Sequence, residues 1–197
     1  MNYLAHLYLA DATSTSFLGS LMGDFVKGSL DQSLPKNLRV GIIQHRRIDT
    51  FTDAHPIVKR SKERISPTFR RYAGILMDVF YDHFLATQWH RFQDQSLDDF
   101  TSHVYAHLEQ HPHRVPDTMR RTLAYMVQND LLGSYRTLDG IQGALRGIEG
   151  RLKRPSHLGQ AMAELEANHD AMLSDFMAFF PELIVFVTND QVAPPSG

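Results

Sequence analysis

The sequence predicts an all-α protein, a single compact domain of about seven to nine helices. Three observations carry this. Apolar residues recur three or four positions apart over long segments, the spacing of one helix face. Strict apolar–polar alternation is absent, and Asp139-Gly140, the one dipeptide of the tight-hairpin kind, lies inside a helical pattern. Helix-start residues (Ser16, Pro35, Ser96, Pro116, Thr137) stand in front of those segments. The 197 residues suit one core, and no internal repeat or low-complexity stretch divides them. The expected domain spans 1–188, and 189–197, with Pro194-Pro195, reads as a frayed tail.

Taken in order, Asn2 to Ala10 reads as a first helix with Leu4, Leu7 and Tyr8 inward and His6 among them. A lone histidine on an apolar face is more often a hydrogen-bonded core group than a ligand. After the turn Asp11–Ser16, Phe17 to Val26 is apolar except for Asp24, and Lys27-Gly28 closes it like a helix C-terminus. Pro35 opens a third helix that His55-Pro56 breaks. A basic helix runs to Ser66-Pro67, and Pro67 starts a long segment ending near Phe92. Ser96 and Asp98-Asp99 cap a helix to about Gln110, whose His103 and His107, with His111 and His113 beyond, read as surface groups. Pro116-Asp117 begins a helix through Leu131, punctuated by Gly133. Thr137 starts a shorter one whose Gly140, Gly143 and Gly147 suggest a close helix–helix approach, because their spacing matches no phosphate loop. A basic connector over 150–155 leads to the last long helix, His157 to Phe180, which holds the weak dipeptide His169-Asp170. Ile184–Val187 then docks on the bundle.

The chain is organised around Gly74–Trp89, which is almost wholly apolar or aromatic yet carries Asp78, Asp82 and His83. Asp78 and Asp82 share a helix face, and His83 points about 100° further round. Unpaired buried carboxylates are costly, so they either hold a metal or pair with arginines of the preceding segment. His45, Asp49 and Asp53 form a second stripe at four-residue spacing. Alone it is a solvated face; beside a matching helix it is how a bundle builds a metal cage.

Cysteine is absent, which excludes disulfides and thiolate sites and leaves imidazole and carboxylate as metal ligands. The N-terminus lacks the pattern of a signal peptide and no apolar run reads as bilayer-spanning, so a cytoplasmic protein is expected. Between Lys36 and Arg71 ten basic residues face three acidic ones, an asymmetry that suggests an anionic partner.

Four blocks, Met1–Ala10, Gly23–Gly28, His45–Asp53 and Asp78–Phe84, resemble bacterial acyl carrier protein phosphodiesterases in order and spacing. The resemblance implies an HD-like helical fold, related to a non-standard branch of the HD-domain phosphohydrolases. It also implies removal of 4′-phosphopantetheine from holo acyl carrier protein with a divalent metal, manganese first, iron or zinc next. Asp82-His83 stands in reversed order relative to the usual His-Asp pair. The expected metal shell is Asp24, His45, Asp82 and His83. Asp49 and Asp78 are further ligands or orienting carboxylates, and His6 and Asp53 are weaker candidates. Asp24, Asp78 and Arg46 are the expected catalytic groups. Arg46 or Arg47 would clamp the phosphate, and Lys59, Arg60, Lys62 and Arg64 would meet the acidic carrier protein. Neither nucleic acid nor a membrane is expected as partner. Rival readings are an HD-type hydrolase of nucleotides, a metal-free helical module docking an acidic protein, and a di-iron oxidase. The last would need Glu-x-x-His repeats that the sequence lacks.

Overall fold

The computed structural model describes residues 1–110, 115–154 and 156–189. Among these residues it holds ten α-helices and no strand, so the all-α expectation holds with slightly more helices. The helices are α1 (Tyr3–Ala12), α2 (Phe17–Met22), α3 (Lys36–Ala54), α4 (Pro56–Glu63) and α5 (Ala73–Thr87), followed by α6 (Leu97–Glu109), α7 (Asp117–Gln128), α8 (Leu131–Ser134), α9 (Leu138–Glu149) and α10 (Met162–Asn189). His111, His113 and the segment 190–197 lie outside the described residues.

Capping chemistry sets several boundaries. Ser16 accepts the Gly19 N–H, Ser96 that of Asp99 and Thr137 that of Gly140, each satisfying a donor that a helix start leaves open. Pro56 opens α4 at its first position.

Four elements differ from the sequence reading. Helix α2 stops at Met22 rather than Val26, and Gly28 (φ 75°) lies in the loop that follows. The segment after Pro67 becomes helical only at Ala73, beyond a 3-10 turn at Arg70–Tyr72. The helix expected to reach Leu131 ends at Gln128, because Asp130 takes a left-handed conformation (φ 42°) and caps the separate α8 through the Gly133 N–H. Helix α10 runs unbroken through Pro181 for 28 residues. Phe179, Phe180, Leu183 and Val187 are buried on both sides of the proline, and that packing offsets the lost hydrogen bond. Contrary to the expectation of no such run, α10 is long and apolar enough to cross a bilayer by length and composition. Here it packs in the core and carries a buried, ion-paired Asp175.

Helices α1 and α5 form the centre. Leu4 to Ala10 are all buried, as are eleven of the fifteen residues of α5. Helix α1 is therefore covered on every side, not on one face as its spacing suggested. The α2–α3 pair packs backbone to backbone. A Cβ at Gly19 would lie 2.7 Å from the Leu38 carbonyl oxygen, and one at Gly41 would lie 2.7 Å from the Gly19 carbonyl carbon. That crossing brings the end of α2 onto the inner face of α3.

Candidate active site

The site begins with two histidines. His6 comes from the enclosed α1 and His45 from the inner face of α3, and both are buried. Their rings stack at 3.8 Å with 12° between planes. Gly23, just past α2, lies flat against the second ring; a Cβ there would fall 2.2 Å from His45 Cγ. This contact delivers Asp24, whose Oδ1 is 3.6 Å from His45 Nε2. One turn beyond His45, Asp49 takes both rings: its Oδ1 is 3.1 Å from His6 Nε2 and its Oδ2 3.2 Å from His45 Nε2. The ligand atoms of His6, His45 and Asp49 lie within 4.8 Å of one another. The Nδ1 of each ring is buried with no hydrogen-bond partner, so Nε2 is the nitrogen that each ring presents.

Burial and the neighbouring His45 push His6 down to about 4. Burial would also lower His45, but Asp24 and Asp49 outweigh it and hold that ring up at about 9. Burial opposes ionisation of Asp49, yet the hydrogen bonds from His45 and His6 place it well below the usual carboxylate range. Asp24 and Asp49 are each nearly half-exposed, so the centre opens to solvent. Two imidazole nitrogens and two carboxylates are a donor set that suits manganese, iron or zinc, and this arrangement fits a divalent ion.

In the Asp78–Asp82–His83 group, the two carboxylates meet the start of the chain beside this centre. Asp78 accepts from the Met1 amine at 2.9 Å, and that amine is 3.7 Å from Asp49. Burial alone would lower the amine, but Asp78 and Asp49 raise it to about 10. Asp82 is fully buried and accepts the backbone N–H groups of Leu4 (2.8 Å) and Ala5 (3.1 Å). It caps α1 from a distant helix, where Asn2 supplies no side-chain cap. Burial nevertheless pushes the Asp82 carboxyl up to about 7. The His83 Nδ1–H donates to the Tyr135 carbonyl at 2.7 Å. In the structure the two carboxylates meet the first residues of the chain and not the arginines of the preceding segment, a pairing that spacing within α5 could not reveal.

The basic residues are also redirected. Arg46 donates to the carbonyls of Gly28 and Val26, both at 2.8 Å, bracing the loop after Asp24. Arg47 lies over the Phe186 ring at 5.4 Å. Arg60 and Arg64 pair with Asp175 of α10, and Lys62 with the exposed Asp53. Lys59 is exposed. His103 and His107 rest edge-on against Phe17, and His169 pairs with its neighbour Asp170 at the surface. One site residue and one core residue stand out differently from the sequence reading. His6 rises from a weaker candidate to half of the imidazole pair. Asp175 escaped notice, though a carboxylate in an apolar run was the same signal that singled out Asp78.

Fold and site together define a class: an all-helical protein with a solvent-facing His–His–carboxylate centre of the kind that suits a divalent metal. The chain belongs to the acyl carrier protein phosphodiesterase family, whose model matches residues 1–183. It is therefore a phosphoric diester hydrolase by family. It is 38% identical over 196 residues to an acyl carrier protein phosphodiesterase of Enterobacter sp. (strain 638), covering 98% of this chain and 100% of that protein. It is 37% identical over 188 residues to one from Escherichia coli O6:H1, covering 93% and 96%. It is 33% identical over 193 residues to one from Yersinia enterocolitica, covering 98% and 100%. No solved structure matches the chain.

Proposed function

We propose that this protein hydrolyses the phosphodiester joining 4′-phosphopantetheine to holo acyl carrier protein, releasing the apo form in the bacterial cytoplasm. The supporting observation is the convergence of His6 and His45 Nε2 on Asp49, with Asp24 alongside and solvent at the mouth. His6, His45, Asp49 and Asp24 would hold a divalent metal, with manganese the first choice. When bound, such an ion neutralises the phosphodiester's charge and makes water acidic enough to supply hydroxide near neutral pH.

The chain's own groups supply the rest. Asp49 fixes both rings so that their Nε2 atoms face the mouth. The hydrogen bonds of Arg46 hold the loop that follows Asp24. We assign to Asp78, half-exposed and raised chiefly by burial, the proton for the departing serine oxygen, which requires it to leave its ion pair with the Met1 amine. The exposed Lys59 presents positive charge toward an acidic carrier protein, hastening encounter.

The test is mass spectrometry of holo acyl carrier protein incubated with enzyme, with and without Mn²⁺ and chelator. Loss of the arm's mass, abolished by chelator and by Asp49→Asn, supports the proposal. An unchanged mass in the presence of bound metal overturns the substrate and points to nucleotides. An unchanged mass and no metal binding overturns the metal centre as well and leaves the docking module.

A further inference from the structure

A cavity of about 330 Å³ lies where the start of α1 meets α7, α8 and α9. That is the lower end of the ~300–1,000 Å³ usual for small-molecule sites. Its walls are largely apolar or aromatic, with Tyr125, Tyr135 and Ile148 among them, and Arg121 and Arg151 add two positive charges.

The glycines of α9 explain why the space is open. At Gly140 the sequence expectation of a close approach holds, since a Cβ there would fall 1.9 Å from the Ser134 carbonyl oxygen. At Gly143 and Gly147 it does not: both line the cavity, and a Cβ at either meets nothing within 4 Å. A glycine inside a helix costs about 1 kcal/mol relative to alanine. Packing does not require these two; at both positions the helix backbone itself borders the open space.

The cavity adjoins the histidine centre through the first turn of α1. Met1 places its amine between Asp78 and Asp49, and two residues on, Tyr3 lines the cavity. Burial and the nearby Asp24 carboxylate raise the Tyr3 phenol, and its hydrogen bond with Arg151 opposes them. Tyr3 and Arg151 thus form the part of the cavity wall next to the start of α1. Asn2 also lines the cavity and donates to the Tyr135 hydroxyl at 2.8 Å, tying its floor to α1. An anionic end at Arg151 followed by an aliphatic, amide-bearing chain is the ligand chemistry that such walls match.

We propose that this cavity receives the pantetheine arm of the substrate, its phosphate end at Tyr3 and Arg151 and its chain along Gly143 and Gly147. The assignment rests on the function proposed above but is separately testable. Free pantetheine, which lacks the phosphate, would be titrated calorimetrically into the wild type, Gly143→Leu, Gly147→Leu and Asp49→Asn. Binding should weaken at least tenfold in both leucine variants and persist in Asp49→Asn. The leucine variants should keep their helicity and Mn²⁺ affinity while KM for holo carrier protein rises. Absence of pantetheine binding to the wild type, or binding to both leucine variants as tight as to the wild type, overturns the cavity assignment whatever the turnover. Binding lost in the leucine variants, in an enzyme that never removes the arm, supports the cavity while overturning the reaction.

Discussion

His45 is held by three neighbours that are far apart in the chain. Gly23 leaves room for its ring, His6 stacks on it, and Asp49 fixes its Nε2. His45→Ala removes the shared nitrogen without disturbing a helix boundary. It should lower Mn²⁺ affinity by at least about 100-fold, the upper range even for groups that only orient ligands. Calorimetric titration, with circular dichroism to verify helicity, checks this. Asp82→Ala acts differently, because it leaves the Leu4 and Ala5 N–H groups buried and unpartnered. The expected loss is about 2–3 kcal/mol of stability, measured by urea unfolding. The same fraying of the α1 start would blur the position of His6, so activity falls alongside stability.

Between elements, the α2–α3 crossing and the α4–α10 ion network are the sensitive joints. Gly41→Val would force a side chain into the Gly19 backbone, and overpacking of this kind costs about 1–3 kcal/mol. A lowered melting temperature with weakened Mn²⁺ binding is the expected pair of results, since the crossing also carries Gly23 to His45. At the second joint, Asp175 is nearly fully buried and pairs with Arg60 and Arg64, with a further hydrogen bond from Ser61 at 2.8 Å. Burial works against its ionisation, but those bonds prevail and hold it below the ordinary carboxylate range. An unfolded Asp titrates near ~3.9. The stabilisation is therefore complete above that pH and is lost as pH falls through the depressed native value. Asp175→Asn should cost about 2 kcal/mol at pH 7, discounted for the exposed part of the arginines. The gap to wild type should narrow as unfolding is measured at pH values falling below ~4.

For the whole molecule, binding at one centre built from α1, α3 and the end of α2 should stabilise the entire core. Saturating Mn²⁺ at 100 times its dissociation constant should add about 2.7 kcal/mol if only the folded state binds. Calorimetric unfolding should show one transition that moves upward with the ion. Two transitions, only one of them metal-sensitive, would contradict a single domain over 1–188.

The sequence by itself determined the helical class, because periodicity, caps and breakers are local. It also determined the chemistry of the candidates, because without cysteine the polar groups in apolar helices are histidines and aspartates. The four-residue spacing of His45 and Asp49 on one helix face was legible for the same reason: residues four apart are neighbours. Tertiary structure decided which candidates meet. Asp24 reaches His45 because two glycines let α2 and α3 touch and Gly23 leaves room for the ring, and Asp82 accepts the open N–H groups of α1. It also neutralised much of the basic segment, since Asp175 lies more than a hundred residues from its arginines. Hydrogen bonds and close backbone approaches between distant segments depend on where whole helices come to rest, and no spacing within a single helix records that.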